Sequence, residues 1–110
     1  MLLIDRDTFS AGETFALAMR VLPNVTIAGE ATVGAFSDAN DAVLSNEWKL
    51  TYSIGVWRDA RGNLWEGKGL PPDIELQSTS ENIAGERDVA LEWAIQYLDG
   101  MGGQKLQGSM

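Results

Sequence analysis

Histidine and cysteine are both absent from the 110-residue sequence. Without cysteine there is no disulfide, no zinc–thiolate site and no cysteine nucleophile. Without histidine a Ser-His-Asp triad cannot be completed inside these residues. Basic residues are few: 8 Lys and Arg stand against 16 Asp and Glu, a net charge of −8. That balance disfavours nucleic acid and anionic membrane surfaces, which both need basic patches. No window approaches the roughly 20 apolar residues of a membrane span. Asp5, Arg6 and Asp7 interrupt the one N-terminal apolar run, so it does not read as a signal peptide. The compartment is left open.

What is present favours a packed domain. The apolar fraction is 45%, and the aromatic residues include 4 Trp. The length suits one domain and is small for an enzyme. Residues 1–5, "MLLID", read as a buried strand. Residues 10–22 read as a helix with Ala11, Phe15, Ala18 and Leu22 on its apolar face, ended by Pro23-Asn24. Val25 to Ala28 is a second strand, parallel to the first through a right-handed crossover. The loop "GEATVGAFSDAND" follows. Ala42 to Leu44 and Trp48 to Trp57 are predicted to pair around Ser45-Asn46, the second in strict alternation. Asp59 to Asn63 is a turn, Leu64 to Glu66 pairs back, and Asp73 to Leu76 is a last short strand. "QSTSENIAGE" reads as a polar loop, and 87–99 as a helix with Leu91, Ala94, Ile95 and Leu98 inward and Gly100 at its cap. Residues 100–110 read as a flexible tail. No repeat and no domain boundary is visible.

Ser10 stands between the first strand and its helix, followed by the small residues Ala11 and Gly12. Two readings fit. Ser10-x-x-Glu13 is a capping box, whose cap stabilises a helix by about 0.5–2 kcal/mol. Equally, a serine at a helix start has unpartnered backbone N–H groups beside it, which can hold an oxyanion. The four Trp read as core or partial core rather than ligand-stacking residues. Asp38, Asn40 and Asp41 lack cation-loop spacing and read as a solvated loop, so no metal site is expected. Lys68, between Gly67 and Gly69, lies in an open loop, which disfavours it as a desolvated base.

Four segments, taken in order, resemble the tail-specific, or C-terminal processing, serine peptidases. They are "LLIDRDTFSAGETFALAMRVLPNV", then Gly29-Glu30-Ala31-Thr32-Val33-Gly34, then "GKGLPPDIEL", then "ALEWAIQYL". That family includes the tricorn protease and the retinoid-binding repeats of the photoreceptor matrix. The resemblance implies an α/β fold of crotonase/Clp-protease-like ββα type, with a mixed sheet and two main helices. It implies Ser10 as nucleophile and the Ala11 amide in the oxyanion hole, with Glu13 and Glu30 as supporting candidates. In the processing branch a lysine base follows the motif's last glycine; here that position is Ala35, so that Ser-Lys dyad is excluded. The tricorn-like branch takes a histidine from an upstream segment, oriented with help from a glutamate near the Pro-Asp element, and Glu66 stands in that place. As a solvated strand residue Glu66 would have no such role, and both readings stay open. The implied protein is a serine endopeptidase acting on peptide or protein substrates without a cofactor. These residues would then be the C-terminal portion of its catalytic domain, with the base and second oxyanion donor upstream. The other readings are a ligand-binding module of the same fold without catalysis, or an inactive piece that forms homo-oligomers through an exposed sheet edge.

Overall fold

A computed structural model describes residues 1–108, with side chains to residue 101. The elements are β1 (Leu2–Ile4), α1 (Ala11–Met19), β2 (Ile27–Gly29), β3 (Ala39–Val43), β4 (Lys49–Ser53), β5 (Ile74–Glu75), α2 (Ser80–Ala84) and α3 (Val89–Gly108). β1, β2 and β5 form one sheet, and β3 and β4 form another. In the first, β2 is central and both pairings are parallel: Leu2 faces Ile27, Ile4 faces Gly29, and Gly29 faces Glu75. The expected mixed sheet is therefore corrected. Parallel and antiparallel strands are present, but in separate sheets, because β3 and β4 hydrogen-bond to each other and, among the described residues, to no strand of the first sheet.

β2 is buried along its length, as a central parallel strand should be. Its start is fixed by Asp73, whose carboxylate accepts from the Ile27 N–H at 2.8 Å while its own N–H donates to the Ile27 carbonyl at 2.8 Å. That double contact explains the acidic residue of "PPDIE". α1 covers one face of the sheet, and Ala16 and Leu17 join Ile4, Ile27, Phe36 and Leu70 in the core. This face differs from the expected one. Phe15 is 55% exposed and Leu22 43%, while Glu13 is fully buried. The helix is turned so that 13, 16, 17 and 20 point inward, because Glu13 finds backbone partners there. Arg20 lies over the Trp65 ring, 5.9 Å from its centroid, at the rim of this core.

The hairpin follows the predicted alternation. Ala42 and Leu50 share one face with Asn40 and Tyr52, and Asp41 binds Lys49 at 2.7 Å on the other. β4 is shorter than the predicted run from Trp48 to Trp57, β3 starts earlier than predicted, at Ala39, and the turn places Glu47 at φ 68°. Trp48 is 71% exposed, and Trp57 is also exposed, so the reading of all four Trp as core residues is corrected. Trp48 adjoins, and Trp57 follows, a hairpin arm whose strands pair, among the described residues, with each other alone. Trp65 packs on the core, and Trp93 stacks on Tyr97 at 5.0 Å.

Two further expectations change. The stretch read as polar loop holds α2, capped by Thr79, whose hydroxyl accepts from the Asn82 N–H at 3.2 Å. α3 runs past Gly100 to Gly108, so the helix does not end at 99 and the tail is helical through 108; residues 109–110 lie outside the described residues. Gly100 does not take the positive φ of a helix-ending cap, and a glycine inside a helix costs only about 1 kcal/mol. Of the expected inward face of α3, Ala94 alone is buried. Among the described residues no helix is long and apolar enough to cross a membrane. The Cα radius of gyration is 18.4 Å, against about 13 Å for a compact chain of this length, because the arm and α3 extend away from the sheet.

The turn after the arm is held by Asp59. Its carboxylate accepts from the Asn63 side chain at 3.0 Å, the Asn63 N–H at 2.8 Å, the Arg61 N–H at 2.9 Å and the Trp65 indole at 3.0 Å. The Asn63 side chain contributes most, and the set lowers the Asp59 carboxyl to about 2. An unfolded Asp titrates near 4, so the turn's contribution is complete above that pH and is lost as pH falls through about 2. We expect the Trp65 indole N–H resonance to titrate with a midpoint near 2; a midpoint near 4 would show that these bonds do not form.

Candidate active site

The site is built outward from the end of β1. Asp5 closes a turn there: its Oδ1 accepts from the Asp7 N–H and the Thr8 hydroxyl, both at 3.0 Å. The turn delivers Ser10 to the start of α1. Ser10 is exposed and has φ 53°, ψ −119°. A helix N-cap ordinarily sits in the extended region. A non-glycine residue in this conformation is strained by about 1–3 kcal/mol, and such strain concentrates at functional sites.

Contacts around Ser10 separate its two readings. The capping-box pair is present, but its weight lies on the carboxylate: Glu13 Oε2 accepts from the Ser10 N–H at 3.1 Å, whereas the Ser10 side chain makes no cap hydrogen bond. The Gly12 N–H is taken by the Phe9 carbonyl, and those of Glu13 and Thr14 by the Ser10 carbonyl. The Ala11 N–H, first in the helix, has no backbone acceptor among the described residues. An exposed hydroxyl with a free, dipole-positive N–H beside it can attack a carbonyl and hold the resulting oxyanion.

Segment 34–37 runs beside this turn. The Ala35 carbonyl accepts from the Ser10 N–H at 3.0 Å, and Val33 donates to the Thr8 carbonyl at 3.0 Å. Glu13 binds the Gly34 N–H at 2.6 Å and the Ala35 N–H at 2.8 Å. Glu66 Oε2 accepts from Phe36 at 2.9 Å and Ser37 at 3.1 Å. Ser10, Ala11, Glu13 and Glu66 are thus brought together around one strand of backbone. Glu66 is half-buried and paired, so its reading as a solvated strand residue fails. Glu30 is not brought in. Its carboxylate accepts from the Ser78 N–H at 2.8 Å and meets Arg6 at 3.4 Å, so it ties the approach to α2 rather than the segment beside Ser10.

Two glycines lock the motif loops together. The carbonyl of Gly34, a residue at φ +88°, accepts from the Gly67 N–H at 2.8 Å. The Thr32 hydroxyl accepts from the Leu70 N–H at 2.7 Å, and Gly69 passes so close that an added Cβ would lie 2.0 Å from the Thr32 carbonyl. The "GEATVG" and "GKGL" spacings are therefore the two halves of one clamp. Two clefts, of about 670 Å³ and 430 Å³, lie at the far end of α1 and beside α2; neither is lined by Ser10 or Glu66. Ser10 sits on an open face.

Because the strain at Ser10 is a backbone property, Ser10→Gly should raise stability by about 1 kcal/mol in a denaturant melt, since glycine adopts positive φ freely. A loss of stability would mean that the serine side chain is a cap after all.

The model of peptidase family S41 matches residues 1–76. Among solved structures the chain is similar to a candidate peptidase from Parabacteroides merdae, with 32% identity and a TM-score of 0.77 over 87% of this chain and 31% of that one. It is similar to the photosystem II D1 C-terminal processing protease, with 28% identity and a TM-score of 0.54 over 68% of this chain and 19% of that one. The tricorn protease shares the fold, with 18% identity and a TM-score of 0.67 over 87% of this chain and 10% of that one. The chain spans less than a third of the length of each of these relatives.

Proposed function

The chain belongs to peptidase family S41, and from that premise we propose that it carries the nucleophile of a serine endopeptidase and is the C-terminal part of its catalytic domain, of crotonase-like fold. Ser10 attacks the scissile carbonyl, the Ala11 N–H holds the oxyanion, and the acyl-enzyme is then hydrolysed. Glu66, with Oε2 occupied by the loop, offers Oε1 to orient a base. That base is a histidine from a segment upstream, since Ala35 brings no amine beside Ser10 and the 110 residues hold no histidine. The observation that carries this reading is the strained, exposed serine whose side chain makes no full cap hydrogen bond. Substrates are peptides or proteins, and the walls that choose among them come from outside these residues. The chain alone is expected to show no peptidase turnover.

A fluorophosphonate probe tests the reading. In the complete protein it should label the peptide containing Ser10 and no other serine; failure to label a folded, complete protein would overturn it. Self-association is a second proposal with its own support: β1 is a sheet edge with Leu3 partly exposed, and edges of this kind pair. The 110-residue chain should elute as a dimer or larger, and a monomer would count against it.

A further inference from the structure

Four successive backbone N–H groups, those of Gly34, Ala35, Phe36 and Ser37, donate to just two carboxylates, Glu13 and Glu66. The Glu13 end differs from the other. Glu13 is fully buried, and its Oε2 binds the Ser10 N–H as well as that of Ala35. The Ser10 N–H is thus shared between the carboxylate and the carbonyl of the residue which that carboxylate holds. Three donors converge on the two oxygens, so each oxygen must accept.

We propose that Glu13 is a positioning residue that keeps Ser10 in its left-handed conformation and its hydroxyl short of a full cap hydrogen bond. Without the clamp, Ser10 would relax to the extended geometry of an ordinary N-cap, and its hydroxyl would turn in to accept from the Glu13-position N–H. A full cap hydrogen bond and the present exposed geometry compete for this hydroxyl, and the buried carboxylate favours the second. Glu66 fixes the other end of the same strap, so that the Ala35 carbonyl meets Ser10 in one register.

The test begins with Glu13→Gln, which keeps the side chain's size but turns an amide group toward one of three donors. On the 110-residue chain, backbone NMR should show Ser10 leaving positive φ and the Gly34, Ala35 and Ser10 amide resonances moving together. If Ser10 keeps positive φ in a folded Glu13→Gln variant, the proposal is overturned. Should that variant fold poorly, a cycle with Ser10→Gly decides instead. Glycine needs no holding, so Glu13→Gln should shift the melting midpoint less in the Ser10→Gly background; equal shifts in both overturn the proposal. The catalytic consequence rests on the peptidase reading. In the complete protein Glu13→Gln should slow probe labelling of Ser10 and lower kcat by about 100-fold with KM little changed, the signature of a misplaced nucleophile. A wild-type protein that resists the probe while the NMR changes appear would sink the peptidase reading and leave the positioning role standing.

Discussion

Ser10→Ala should reduce peptidase turnover of the complete protein by about 10³- to 10⁶-fold, the range seen when a serine nucleophile is removed. It should do so while changing stability by less than about 0.5 kcal/mol. Both halves follow from the same contacts. Every hydrogen bond made by Ser10 here runs through its backbone: its N–H to Glu13 and Ala35, and its carbonyl to the Glu13 and Thr14 amides. Alanine keeps all of them and loses an exposed oxygen that makes no full cap hydrogen bond. Were Ser10 an ordinary cap, the signs would reverse: stability would fall by about 1 kcal/mol and turnover would persist. Measuring kcat and a denaturant melt on the same variant separates the two, and retained turnover would remove Ser10 from the chemistry.

Much of this could be read from residue order, and the failures have definite causes. The strand-helix-strand unit was legible because "MLLID" and "VTIA" are short apolar runs bounded by polar breaks, and central strands look like that. Ser10-x-x-Glu13 was legible as a pair. The direction of its hydrogen bonds was not, since the partners that draw Glu13 inward, Gly34 and Ala35, lie 21 and 22 residues away. For the same reason periodicity points to the wrong face of α1. A face carrying Glu13 and Arg20 looks solvent-facing until its tertiary partners are known, and periodicity alone favoured Phe15 and Leu22. The short cap of α2 was visible in Thr79-x-x-Asn82 but was lost in a polar stretch without apolar spacing. Residue type alone points Trp48 and Trp57 to a core. Alternation in "WKLTYSIGVW" shows that one face is apolar and is silent on whether anything covers it. Glu66 is singled out only by the family resemblance, whereas its bonds to Phe36 and Ser37 appear only once the loops meet.

Gly29→Ala should be strongly damaging for a single methyl addition. Gly29 closes β2 at φ +129°, and a Cβ there would lie 1.8 Å from the Ile4 carbonyl oxygen. That oxygen cannot retreat at low cost, because it accepts from the Glu30 N–H at 3.1 Å and belongs to the strand paired with β2 in register. On the other side the Gly29 carbonyl accepts from Leu76 at 2.8 Å. To admit the methyl group, β1 or β5 must leave the central strand. A positive-φ penalty alone is about 1 kcal/mol, as expected for Gly62→Ala, where nothing lies within 4 Å of the added atom. Gly29→Ala adds the clash and the loss of ladder bonds, so the expected cost exceeds about 4 kcal/mol. Total stabilities are commonly about 5–15 kcal/mol, so much of the variant should be unfolded at room temperature. Side-by-side denaturant melts of the two variants test this. Equal, mild shifts would mean that Ile4 and Gly29 do not pair as described, and the route from β1 into the Ser10 turn would have to be redrawn.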